Sequence, residues 1–238
     1  RHTVPAPPGV PRCRIAFASD LHIGPTTPSS VLRRAASLIR QEKADVLLLG
    51  GEYLFLDATT KKLGALTDWV ASTAVATVIA IVGNHVLWGD EERILESLRA
   101  SGVRLLINEN TRLPAPFDSF AIVGLDEPMV GDADPEAAFA GSEDAAVTIV
   151  LCHEPDGLLA CGDRAFDLFL CGHTHGGQVA TPWRPIFVPS GVLHREFVAG
   201  FHRHRDRHLF VSRGVGGAEV PVRLFAPPDV LIVDVVAA

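Results

Sequence analysis

The chain reads as an α/β sandwich, on three observations. Short apolar runs alternate with amphipathic helical patterns through the first half. Several of those runs are apolar at nearly every position, which suits strands buried on both faces. The last third turns strand-rich with frequent turn residues, so the strand–helix alternation of a simple doubly wound sheet does not continue to the end.

The elements follow in order. Residues 1–12, RHTVPAPPGVPR, are Pro-rich and read as an extended lead-in to a single domain over 13–238. Strand runs are RIAFAS (14–19), DVLLLG (45–50), TVIAIVG (77–83), FAIVGL (120–125), VTIVLC (147–152), FDLFLC (166–171), RHLFVS (207–212) and DVLIVDVV (229–236). Between the first two, SSVLRRAASLIRQEK offers Ser29 and Ser30 as N-caps and places Val31, Leu32, Ala35, Leu38 and Ile39 on one helical face. TTKKLGALTDWVAST repeats the pattern with Leu63, Leu66, Trp69 and Val70. DEERILESLRASG starts acidic and stops at Gly102, as a helix should.

Composition narrows the function. Of 238 residues, 47% are hydrophobic, enough for a sizeable core. No stretch reaches the ~18 uninterrupted apolar residues of a membrane span. The net charge of −7 argues against nucleic acid as a partner, because sequence-independent binding needs a basic face. Phosphate substrates stay open, since bound metal ions can supply positive charge. The four cysteines form no C-x-x-C pair and read as buried free thiols. The chain begins without an initiator Met, which reads as a processed end and leaves room for a membrane anchor or signal ahead of it.

Five of the runs end in a residue able to bind a metal: Asp20 and His22, Glu52, Asn84 with His85, His153, and His173 with His175. In α/β sheets, ligands collect beyond the carboxyl ends of the strands, so five such endings converge on one spot. D-x-H and H-x-H project both residues to one side if the backbone is extended. Imidazole, carboxylate and amide oxygen without thiolate suit Mn, Fe or Zn. With His85 set aside, seven candidates are too many for one tetrahedral ion. Two ions sharing a carboxylate, ~3.5–4 Å apart, are a device for in-line displacement at phosphorus.

The series SDLHIG, GGEY, GNH, CHEPD and CGHTHGGQ resembles the calcineurin-like metallophosphoesterases, and within them the bacterial branch ending in GHTHGGQ, which includes membrane-associated phosphodiesterases. The resemblance covers about residues 14–225, including the late VSRGVG and VRLF segments. It implies a four-layer αββα sandwich of two mixed β-sheets flanked by helices. It also implies two divalent ions (Mn, Fe or Zn), with Asp20, His22 and His175 on the first, Asn84, His153 and His173 on the second, and Glu52 bridging. A hydroxide between the ions would attack phosphorus, and His85 would act at the leaving oxygen. The implied substrate is a small phosphoester or phospholipid-like molecule, diesters slightly favoured. The implied location is the bacterial cytoplasm or its membrane.

Two positions depart from the family pattern: Glu52 stands where Asp is usual, and Val86 where Asp follows the histidine. The extra methylene moves the bridging carboxylate by ~1.5 Å. Loss of the second carboxylate leaves His85 less firmly oriented. These changes keep a second reading open, a catalytically weakened member that acts as a metal-binding or partner-binding scaffold. A third is a single-ion protein without phosphate chemistry. Elsewhere, Arg213 in VSRGVG is a candidate for substrate phosphate or for a structural pair. HRHRDRH (202–208) reads as a solvated hairpin tip, and Trp88, Trp183 and Phe187 as rim or core residues.

Overall fold

The computed structural model describes residues 1–84, 90–189, 191–205 and 207–237. The first sheet runs in spatial order β1 (His2–Ala6), β12 (Leu231–Ala237), β2 (Cys13–Ala18), β3 (Val46–Leu49), β4 (Thr77–Ala80) and β5 (Arg104–Leu105). The second runs β10 (Gly200–His204), β11 (Arg207–Val211), β9 (Leu168–Cys171), β8 (Val147–Leu151), β7 (Phe120–Gly124) and β6 (Glu109–Arg112). Both sheets are mixed. Strands β2 to β5 are parallel and β12 opposes β2; β7, β8, β9 and β11 are parallel, with β6 and β10 antiparallel at the edges.

Side-chain alternation builds the layers. On β2, Ile15 and Phe17 face the space between the sheets, while Ala16 and Ala18 face helices α1 (Ser29–Glu42), α2 (Thr60–Ser72) and α3 (Glu91–Ala100). Leu48 and Ile79 follow Phe17 inward; Leu47, Leu49, Val78 and Ala80 face the helices. On the second sheet, Ile149, Leu151, Leu168 and Leu170 meet the first sheet. Val150, Phe169, Leu209 and Val211 face away, toward α4 (Pro135–Phe139) and α5 (Gly157–Cys161). Three apolar seams between four layers bury both faces of the central strands, which is why those strands carry no polar alternation. Each fully buried Leu, Ile or Phe contributes about 1.5–3 kcal/mol.

Several local expectations shift. The Pro-rich lead-in is extended, and its residues 2–6 are also paired in parallel with β12. Ser29 and Ser30 lie inside α1, and the N-cap position belongs to Pro28, whose carbonyl accepts from the Val31 N–H at 2.9 Å. On the same helix Ala36 is buried while Leu38, at the edge of the apolar stripe, is exposed. The Trp69 indole donates to the Leu32 carbonyl at 2.9 Å and ties α2 to α1. The four cysteines are buried and free. Among the described residues no helix is long and apolar enough to cross a membrane.

Candidate metal centre

The parallel strands β2, β3, β4, β8 and β9 come from both sheets, and their carboxyl ends meet at one end of the sandwich. Asp20, His22, Glu52, Asn84, His153, His173 and His175 all line a single cavity there, of about 350 Å³. His85, expected at the leaving oxygen, and Val86 beside it lie outside the described residues, as does Trp88.

Extended backbone does not bring these residues together. Asp20 (φ 55°), His22 (φ 40°), Glu52 (φ 55°), His173 (φ 67°) and His175 (φ 51°) all adopt left-handed conformations. Each such non-glycine residue costs about 1–2 kcal/mol. The chain turns sharply as it leaves each strand, and cross-links hold the turns: Asp20 N–H to the Gly51 carbonyl at 3.0 Å, His22 N–H to the Glu52 carbonyl at 3.0 Å, Gly172 N–H to the His153 carbonyl at 2.9 Å. Strain gathered on one cavity is a mark of a functional site.

Two glycines make the close approach feasible. A Cβ on Gly172 would fall 2.2 Å from Asp20 Oδ2, and one on Gly83 would fall 2.5 Å from Glu52 Oε1. The longer carboxylate at position 52 thus occupies room that a side chain at 83 would take.

Asp20 is fully buried. Its Oδ1 lies 3.3 Å from His175 Nε2, 3.9 Å from His153 Nε2 and 4.0 Å from His22 Nε2. His22 Nε2 and His175 Nε2 are 3.2 Å apart. Burial alone would raise the Asp20 pKa, but His175, then His153 and His22, hold it well below the ordinary carboxylate range. His153 donates from Nδ1 to the Gly50 carbonyl at 2.7 Å, which fixes its ring with Nε2 toward the cavity. Burial opposes its protonation, yet Asp20 and Glu52 raise its pKa overall. His173 goes the other way: burial, with His153 adding to it, pushes its pKa down to about 3, so it offers a lone pair at neutral pH. Its Nδ1 lies 3.2 Å from Asn84 Oδ1.

The arrangement fits divalent cations. Asp20 Oδ1, His153 Nε2 and His173 Nε2 are buried without a hydrogen-bond partner, a costly state that bound cations would relieve. Asp20, His22 and His175 converge closely enough to hold one ion, and Glu154, His173 and His194 form a second such group.

Arg223, in the VRLF segment, was given no role from the sequence. Its half-buried guanidinium donates to the Arg213, Gly216 and Ala226 carbonyls, and its Nη2 lies 2.9 Å from His175 Nδ1. Burial lowers its pKa to about 10, so it stays charged at neutral pH and fixes the His175 ring. Glu154 and His194 were also missed. Glu154 was legible only as the residue after a candidate ligand, and His194 carries no motif. Arg213 lies beside Asp229, with Nη1 3.2 Å from Oδ2. Asp90, four residues beyond Val86, and Asp57 are engaged by the Ala58 N–H and by Lys62. Of the HRHRDRH run, 202–204 and 207–208 belong to the paired strands β10 and β11.

Fold and site together define a two-sheet α/β sandwich with a carboxylate–imidazole centre suited to divalent metals. A family model described as calcineurin-like phosphoesterase matches residues 13–177, and the chain belongs to that family. It is 34% identical over 229 residues to phosphodiesterase YaeI of Escherichia coli, covering 94% of this chain and 82% of that protein. It is 25% identical over 276 residues to the UDP-2,3-diacylglucosamine pyrophosphatase LpxG of Chlamydia muridarum, covering 92% and 82%. Among solved structures, TT1561 of Thermus thermophilus superposes with a TM-score of 0.58 at 12% identity, over 86% of this chain and 91% of that one. A dimetal phosphatase from Danio rerio gives 0.54 at 12% identity, over 85% and 88%. These two likenesses concern the fold.

Proposed function

We propose that the chain hydrolyses phosphoester bonds, diesters ahead of monoesters, at a dinuclear centre of Mn, Fe or Zn. The observation that carries this reading is the single cavity lined by all seven candidate ligands, with buried unpartnered atoms that cations would satisfy. In it, Asp20, His22 and His175 would hold one ion and Asn84, His153 and His173 the other, with Glu52 as the carboxylate they would share. When bound, such ions acidify water and neutralise charge developing on phosphoryl oxygens.

The chain's own groups do the rest. His153, locked by the Gly50 carbonyl, and His175, locked by Arg223, present fixed rings. His85 follows Asn84 directly and is assigned, from the sequence, to the proton of the leaving oxygen.

A diester with an apolar arm is favoured by the cavity wall. Met129, Val130, Phe187, Pro189 and Ala218 line it beside the polar cluster. Phe187 is 69% exposed, and Trp183 and Val192 on the same segment are 89% and 75% exposed. Relatives whose names include a phosphodiesterase and a pyrophosphatase acting on a diacylated sugar nucleotide support the same direction.

The test is hydrolysis of a chromogenic phosphodiester and its monoester counterpart by Mn²⁺-loaded protein, with Asp20→Asn as control. Diester turnover above monoester turnover, lost with chelator and in the variant, is expected. No turnover of either ester by protein that holds two ions would sink the hydrolytic reading.

A further inference from the structure

Eight of the thirteen large hydrophobic side chains exposed among the described residues come from two segments, 181–192 and 220–225. Phe187 is the one of the eight that lines the cavity, where Met129 and Val130 join it. Trp183, Ile186 and Val192 lie outside the cavity, as do Val222, Leu224 and Phe225 on the second segment. An apolar arm held in the cavity would leave those six in water.

The two segments adjoin and are pinned. Ala180 N–H donates to the Leu224 carbonyl at 2.9 Å, and Leu224 N–H to the Gln178 carbonyl at 2.9 Å. The buried Gln178 side chain donates to the Val220 carbonyl at 2.7 Å and accepts from the Ala218 N–H at 2.8 Å. Thr181 N–H donates to the Arg184 carbonyl at 2.8 Å and closes a turn with Trp183 at its tip. Ile186 N–H then donates to the Val179 carbonyl at 3.1 Å, which brings the chain back toward the cavity. The Trp183 ring, 89% exposed, is thus held out by an ordered turn.

The chemistry of this rim matches a lipid surface. The chain carries 28 Asp and Glu, and none falls in 180–192 or 220–225. Arg184, exposed beside Trp183, is the cation of the tip. Trp and Arg each place an apolar body among acyl chains and a polar end among headgroups. Clustered exposed apolar side chains mark a macromolecular or membrane contact. A protein or a second copy seated on this rim would cover the cavity mouth, whereas a bilayer would present phosphoester headgroups to it.

We propose that the rim formed by 181–192 and 220–225 docks on a phospholipid bilayer, Trp183 leading, so that the cavity draws its substrate from the headgroup layer. What the cavity does there rests on the hydrolytic reading above; the docking does not.

The experiment is flotation of the 238-residue chain with phosphatidylcholine vesicles, in wild type, the double variant Trp183→Ala with Phe225→Ala, and Leu38→Ala. Wild type is expected to float, and the double variant to partition at least tenfold more weakly with native circular dichroism. Leu38→Ala, exposed on α1 outside both segments, should stay within about twofold of wild type. Contact through apolar side chains predicts that high salt weakens partition less than about threefold.

Quenching of tryptophan emission by brominated acyl chains decides the matter even if the double variant fails to fold. Strong quenching in wild type that disappears in Trp183→Phe supports the proposal. No flotation of wild type, or equal flotation of the folded double variant, overturns it. A wild-type dimer that does not float and that the double variant dissociates also overturns it and assigns the rim to a second copy. Flotation without turnover of the soluble chromogenic diester sinks the hydrolytic reading and keeps the docking; turnover without flotation does the reverse.

Discussion

Two aspartates, at different places on the first sheet, are both held below the ordinary carboxylate range, by different partners. Asp20 lies beyond the carboxyl end of β2 and faces His175, His153 and His22. Asp234 lies on β12, cross-strand from Arg14, and accepts from Arg14 Nε at 2.8 Å and Nη2 at 3.1 Å and from Arg12 at 3.0 Å. Arginine keeps its proton at any working pH, so the Asp234 pair is a permanent strut. Imidazoles can exchange their protons for a metal, so the same carboxylate chemistry at Asp20 suits a cation. The difference is also one of backbone: Asp234 is regular strand, whereas Asp20 sits in the left-handed region.

That contrast can be broken in graded ways. The largest expected effect is from Asp20→Asn, which should lower metal-dependent turnover by at least ~100-fold, beyond the loss typical of an outer partner. Elemental analysis should show the loss of an ion while circular dichroism stays native. Gly83→Ala comes next. By crowding Glu52 Oε1 it should displace the carboxylate proposed to bridge, and a shift of ~1 Å costs ~10²-fold in rate, read in kcat of the Mn²⁺-loaded protein.

Arg223→Gln should weaken the first ion by ~10–100-fold through a loosened His175, visible as a raised Mn²⁺ dissociation constant. The smallest effect belongs to Asp234→Asn, about 1 kcal/mol of stability at neutral pH, with metal content unchanged. Its pH dependence has a definite sign. The Arg14 hydrogen bonds, then Arg12, lower the folded-state pKa of Asp234, so their contribution is complete above the unfolded value of ~3.9. It fades as pH falls from there through the lowered folded value. The stability gap between wild type and variant, measured by denaturant titration, should therefore close in acid.

How far the sequence reveals the site follows from the same contrast. A strand buried on both faces is uniformly apolar, so a polar residue at its end stands out; Asp20, Glu52, His153 and His173 were visible for that reason. The central strands and three long helices were legible on periodicity. β6, ENTR, was not, because a polar edge strand has no apolar alternation to read. β1 was obscured by Pro5 and the prolines that follow it, and α4 and α5 are too short for a helical stripe. Arg223 meets His175 and His194 meets Glu154 from segments far along the chain, and only tertiary packing brings them together. The same holds for the left-handed turns: D-x-H spacing suggests convergence, but the backbone achieves it by bending.

The central claim is that these residues are arranged around a pair of ions. Metal content per chain tests it most directly, by plasma mass spectrometry on protein purified without chelators or a metal-binding tag. About two Mn, Fe or Zn ions per chain is the predicted result. One ion or none after incubation with Mn²⁺ would contradict it and would favour the scaffold reading instead.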